Sequence, residues 1–204
     1  ELDVRLTRDK ELVVFHDIRL ERLTQDGRGM VRTKKLSDLK KLRLKSSFVT
    51  TGMPTMAEVL DMFKSTNKLV NIEIKSEMPM RGKIEQRAID LIHQFGVKKI
   101  VVVSSFNPLV IRKIKKIDRG IRTGFIYEKR LPNFNQKLAK GLIATSWHPN
   151  YLGVSALLLE KAADAGCAVF PQLGVSGAIV DVVGGGIAGS AADYLFLPGE
   201  RCGL

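Results

Sequence analysis

Along this chain, short extended apolar runs alternate with stretches whose apolar positions recur every three to four residues. Leu2 to Thr7 alternates apolar and polar side chains, and Arg8-Asp9-Lys10 turns it into a second extended run, Glu11 to Phe15. Asp17 to Gly52 is polar, basic and irregular, with a turn at Gly27 and Gly29, and reads as an excursion from the regular pattern. Thr55-Met56-Ala57-Glu58 spells a capping box that opens a helix running to Lys64. Lys68 to Lys75 predicts a strand, and Lys83 to Phe95 a helix with Ile84, Ala88, Leu91, Ile92 and Phe95 on one face, closing at Gly96. After a β run from Lys98 to Ser104, Asn107 and Pro108 take the cap and first-turn positions of a helix lined by Val110, Ile111, Ile114 and Ile117. Ile121 to Tyr127, Gly141 to Ser146 and Cys167 to Pro171 read as further strands, with a helix from Ser155 to Ala165 before the last and one more strand over Val175 to Asp181.

Strands separated by helices, several apolar enough to be buried on both faces, point to an α/β fold with a parallel sheet covered by helices. An open doubly wound sheet would carry a glycine-rich phosphate loop after an early strand. Gly184-Gly185-Gly186-Ile187-Ala188-Gly189 comes late, outside a strand-to-helix junction and without a following acidic residue. A (β/α)8 barrel is therefore the expected fold, with seven strands legible, near residues 2, 70, 100, 123, 143, 169 and 177, and one missing.

Composition narrows the chemistry. The 204 residues are 45% apolar, enough for a buried core without disulfides or structural metal. Cys167 and Cys202 form neither a disulfide framework nor a zinc-binding spacing. The longest uncharged run, Gly141 to Leu159, holds Ser146, His148, Pro149 and Asn150 and is no membrane span. The opening Glu-Leu-Asp-Val is neither a signal nor a transit peptide, and the chain is expected to begin inside a longer protein. Lys and Arg outnumber Asp and Glu by 33 to 21, a formal charge of +12. The cations concentrate in Arg32 to Lys45 and Arg112 to Lys116 with little aromatic interleaving, so nucleic acid is not the expected partner. The field suits a small anionic substrate or an anionic surface.

Residues two apart on a strand share a face, so Glu1 and Asp3 project together, as do Glu73 and Lys75. Converging carboxylates in a barrel interior repel one another and resist desolvation unless a cation lies between them. Their hard oxygen donors suit Mg²⁺ or Ca²⁺ better than Zn²⁺. His16, at the end of the second extended run, is placed to act as acid or base beside them. Taken singly, each feature also fits a solvated strand edge, a surface ion pair or a loop histidine. His93 and His148 read as structural, on a polar helix face and before a proline in a loop.

The joint order is more specific. Glu-Leu-Asp-Val-Arg-Leu-Thr-Arg-Asp-Lys-Glu-Leu-Val-Val-Phe-His-Asp closely resembles the glycerophosphodiester phosphodiesterase family pattern E-x-D-V-x-x-T-x-D-x-x-x-V-x-x-H-D. Leu20-Glu21-Arg22-Leu23-Thr24 with Gly27 and Gly29, Met53 to Leu60, Asn71-Ile72-Glu73-Ile74-Lys75 and Val103 to Asn107 agree with it. The resemblance implies a TIM barrel over residues 1–181, with 17–52 as the family's small insertion and 182–204 as a Gly/Ala-rich tail without counterpart. It implies Glu1, Asp3 and Glu73 as metal ligands, His16 as one of two catalytic histidines and Lys75 as a lysine near the phosphate. The implied reaction is hydrolysis of a glycerophosphodiester to sn-glycerol 3-phosphate and an alcohol, in glycerophospholipid breakdown, with Ca²⁺ or Mg²⁺.

The chain also departs from the family. The His-Arg-Gly first strand and the P-E-N-T turn have no counterpart, since Glu1 begins directly at the second strand. The W-T-V-N motif is absent, and Val169 to Leu173 runs almost directly into Gly174 to Asp181, so the last helix-strand unit is abnormal. The expectation is an incomplete barrel whose natural protein extends upstream or is inactive. The alternatives are a phospholipase D-like lyase on the same barrel, or a nonenzymatic fragment binding anionic lipids or a partner. Head group, native metal, oligomeric state and compartment have no signature here.

Overall fold

A computed structural model describes residues 1–45, 52–76, 83–127, 141 and 144–172. They fall into two compact units, 1–103 and 104–172, with the division inside strand β4 (Val101–Ser105).

In the first unit, β1 (Leu2–Leu6) and β2 (Leu12–Val14) form an antiparallel hairpin, with Val4 opposite Val14 and Leu6 opposite Leu12. The corner is built on Thr7, whose hydroxyl donates to Asp9 Oδ1 (2.6 Å) and accepts from the Glu11 N–H (3.0 Å). Lys10 closes it in the left-handed region, at φ 69°. The other edge of β1 pairs in parallel with β3 (Val70–Ile74), in the register Leu2 to Ile72, Asp3 to Glu73 and Val4 to Ile74. Val4, Ile72 and Ile74 are fully buried.

Two amphipathic helices belong to this unit. On α2 (Met56–Phe63) the capping box is complete: the Glu58 N–H donates to Thr55 Oγ1 (3.2 Å), and the Thr55 N–H donates to Glu58 Oε2 (2.8 Å). Met56, Val59 and Leu60 are the buried stripe of this helix. Helix α3 (Ile84–Gln94) buries Ala88, Ile89, Leu91 and Ile92 and ends at Gly96, whose φ of 67° lets Gly96 and Val97 donate back to His93 and Ile92.

The excursion after β2 is more ordered than its polar sequence suggests. Leu20, Leu23, Val31, Leu39 and Leu44 close over Val13, Phe15 and Met53 as a separate apolar cluster, with one helical turn, α1 (Leu36–Leu39). Gly27 is required there, because a Cβ at that position would lie 2.4 Å from Thr24 Oγ1.

The second unit contains α4 (Pro108–Ile117), β5 (Arg122–Tyr127), β6 (Ser146–Pro149), α5 (Ala156–Asp164) and β7 (Ala168–Val169). Strands β5, β6 and β7 are successive parallel neighbours. Asn107 caps α4 by accepting from the Leu109 N–H (3.0 Å), and Pro108 fills the first turn. Ile111, Phe125, Tyr127, Trp147, Leu158 and Ala162 form the core.

The strand expected at Gly141 to Ser146 lies further along. Trp147 and His148 belong to it, because Trp147 enters the apolar core while the alternate residues Ser146 and His148 bond each other across 2.9 Å. Pro149 is its last residue. The strand expected at Cys167 to Pro171 is confined to Ala168–Val169. The strand expected over Val175 to Asp181 and the tail from 182 lie outside the described residues.

Candidate active site

The register of β1 on β3 sets the site. Asp3 and Glu73 are direct partners across the parallel ladder, and Lys75 follows one pleat later on the same face. The Lys75 N–H donates to the Val4 carbonyl (3.1 Å), carrying the ladder one step past β3. Its ammonium lies 2.5 Å from Glu73 Oε1 and 3.2 Å from Asp3 Oδ1. The side chains of Glu73, Asp3 and Lys75 are 5%, 20% and 15% exposed, so the charges meet largely out of solvent. Burial pushes the Glu73 carboxyl up to about 7; the Lys75 ammonium opposes the rise, and the negative charges of Asp3 and Glu1 add to it.

Glu1 is exposed and accepts from Asn71 Nδ2 at 3.3 Å. Among the described residues, no three side chains of His, Cys, Asp and Glu are grouped so that they could hold a metal ion. The donor chemistry nevertheless fits a hard divalent cation: Asp3 and Glu73 are in register on adjoining strands, Glu1 lies just before β1, and Glu73 is raised by burial, to which the charges of Asp3 and Glu1 add. In the structure it is Lys75 that offsets Asp3 and Glu73.

His16 stands just past β2, the strand that flanks β1 on the side opposite β3. The Phe15 N–H donates to the Asp3 carbonyl (2.8 Å), tying this segment to the backbone of the acidic pair. The His16 carbonyl accepts two bonds from the buried Arg5 guanidinium, from Nε (2.9 Å) and Nη2 (2.6 Å). Its ring Nδ1 is 2.7 Å from Asp17 Oδ1, and Arg22 grips both Asp17 oxygens, Nε on Oδ2 and Nη2 on Oδ1, each at 2.6 Å. The fork from Arg22 holds the Asp17 carboxyl down at about 2, so Asp17 is an anion that can only accept.

Lys75 thus contacts both Asp3 and Glu73, and the segment bearing His16 is tied to Asp3 through the backbone of Phe15. Asp17, Arg22 and Arg5 escaped the sequence reading. Asp17 adjoining a candidate base was a usable signal, and Arg22 stands in a segment that agrees with the family pattern, though neither was given a role. His93 is exposed on its helix as expected. His148 is no loop histidine: it is 1% exposed, between Ser146 Oγ (2.9 Å) and Gln172 Nε2 (3.2 Å), against the Phe170 ring.

Comparison with known proteins places this geometry. Residues 1–172 match the model of the glycerophosphoryl diester phosphodiesterase family. A glycerophosphodiester phosphodiesterase from Caldanaerobacter subterraneus subsp. tengcongensis is 34% identical over 175 residues, covering 84% of this chain and 71% of that protein. One from Bacillus altitudinis is 30% identical over 158 residues, covering 75% of this chain and 64% of its own length. The fold matches that of an Oleispira antarctica phosphodiesterase solved with the product sn-glycerol-3-phosphate, at a TM-score of 0.76 and 22% identity, over 84% of this chain and 71% of that one. The fold is an α/β, incomplete (β/α)8 barrel. No helix among the described residues is long and apolar enough to cross a membrane. The chain belongs to the glycerophosphoryl diester phosphodiesterase family of phosphoric diester hydrolases.

Proposed function

We propose that this protein hydrolyses glycerophosphodiesters to sn-glycerol 3-phosphate and an alcohol in glycerophospholipid breakdown, with Ca²⁺ or Mg²⁺ held by Glu1, Asp3 and Glu73. The observation that carries the reading is the in-register Asp3–Glu73 pair bridged by Lys75, on the strand beside His16. The product bound to the Oleispira antarctica protein supports the substrate class.

When bound, the cation supplies positive charge to a phosphoryl oxygen of the diester. Lys75 adds its ammonium at the same oxygens, where negative charge builds as the phosphorus is attacked. His16 serves as acid or base. Asp17 accepts a hydrogen bond from Nδ1–H, which leaves Nε2 of the neutral ring to accept a proton from the attacking hydroxyl or, once protonated, to return one to the leaving alkoxide. The surplus of basic residues favours approach of the anionic diester.

The test follows glycerophosphocholine by ³¹P NMR with Mg²⁺ or Ca²⁺ present. The expected result is linear sn-glycerol 3-phosphate from the wild-type protein and none from His16→Ala. A cyclic phosphate as the final product assigns the lyase reaction instead. Full activity in His16→Ala removes His16 from the mechanism.

A further inference from the structure

The residues that grip His16 do more than fold the excursion. Its carbonyl is held by the Arg5 fork, and its ring by Asp17, itself held through both oxygens by Arg22. A neutral imidazole has one N–H and one lone pair, and the partner of one nitrogen decides which is which. A carboxylate has no proton to give, so contact with Asp17 requires the proton on Nδ1 and leaves the lone pair on Nε2. Arg22 and Asp17 are five residues apart on irregular backbone, so no regular element imposes the contact.

We infer that Asp17 and Arg22 are positioning residues for the phosphodiester hydrolysis, setting the Nδ1–H tautomer and the ring orientation of His16 so that Nε2 carries the reactive lone pair. The inference rests on the role of His16 proposed above. One proton moves: Nε2 takes it from the attacking hydroxyl and returns it to the leaving alkoxide, while Asp17 keeps its hydrogen bond to Nδ1 throughout and stays ionised. Arg22 orients Asp17 and touches neither substrate nor proton. The Arg22 side chain is 49% exposed, so the contact is open to substitution without emptying a core.

The test reads the ring directly. In histidine-¹⁵N-labelled full-length protein, two-bond ¹H–¹⁵N spectra above the titration range of the ring are expected to show His16 with a protonated Nδ1 and a bare Nε2. Asp17→Asn is expected to abolish that pattern in favour of the Nε2–H form or a mixture. It is also expected to lower kcat on glycerophosphocholine about 10- to 100-fold, the cost typical of losing the outer partner that orients a metal-bound histidine, with KM little changed. Arg22→Gln is expected to reproduce part of both effects and Arg22→Lys to restore less than the arginine fork. Retention of the Nδ1–H pattern and wild-type kcat in Asp17→Asn overturns the inference while leaving the hydrolytic reading intact. Equal activity of wild type and His16→Ala removes that reading, and the ring spectrum still decides whether Asp17 sets the tautomer.

Discussion

Asp3 faces Glu73 across the parallel ladder between β1 and β3, and the Lys75 ammonium bridges the pair. Two carboxylates on neighbouring strands are costly to bury together, and their attraction to one ammonium offsets only part of that cost.

Lys75→Met removes the charge that Asp3 and Glu73 share. Breaking a buried ion pair from one side costs about 3–5 kcal/mol, and partial exposure of Asp3 and Lys75 reduces the figure here. The variant is expected to melt several degrees below wild type in chelator and to regain more of that loss than wild type when millimolar Mg²⁺ or Ca²⁺ is added. Equal metal-induced shifts in the two proteins, read by differential scanning fluorimetry, count against a cation site at these carboxylates.

His148 predicts an acid-sensitive fold. Burial holds its imidazole down to about 3, against 6.5 when free, so the folded protein keeps the ring neutral while the unfolded chain protonates it. The resulting stability is complete above pH 6.5 and is lost as the pH falls from there toward 3, by up to about 1.4 kcal/mol per pH unit. Comparing urea midpoints at pH 7, 5 and 4, His148→Gln is expected to show a shallower decline than wild type; parallel declines contradict the assignment.

Gly124 lies opposite Ser146 on β5, and a Cβ there would come 2.2 Å from His148 Nε2. A ring locked between Ser146 and Gln172 cannot withdraw cheaply. Gly124→Ala is expected to cost about 1–3 kcal/mol, as overpacking of a filled core does. An unchanged denaturant midpoint shows that the ring can move aside.

What the sequence made legible was whatever is local and periodic. The capping residues Thr55 and Asn107 announce α2 and α4 because their side chains bond within three residues, and the shared face of Glu1 and Asp3 follows from the strand period of two. Which carboxylates meet was harder to read, because the register that sets Asp3 against Glu73 joins distant segments. The family motif supplied that pairing. Leu20, Leu23, Val31, Leu39 and Leu44 follow no period, so the small core of the excursion and the Arg22–Asp17–His16 chain built on it were invisible. His148 was read as loop because Pro149 follows it, although Pro149 is itself the last residue of the strand.

The most direct measurement of the central claim is the rate of sn-glycerol 3-phosphate release from glycerophosphocholine, taken with Mg²⁺ or Ca²⁺, after chelation, and in Glu73→Gln. The account predicts metal-dependent turnover that chelation abolishes reversibly, and loss of both turnover and measurable metal binding in Glu73→Gln. Turnover that survives chelation, or a Glu73→Gln protein as active as wild type, contradicts it.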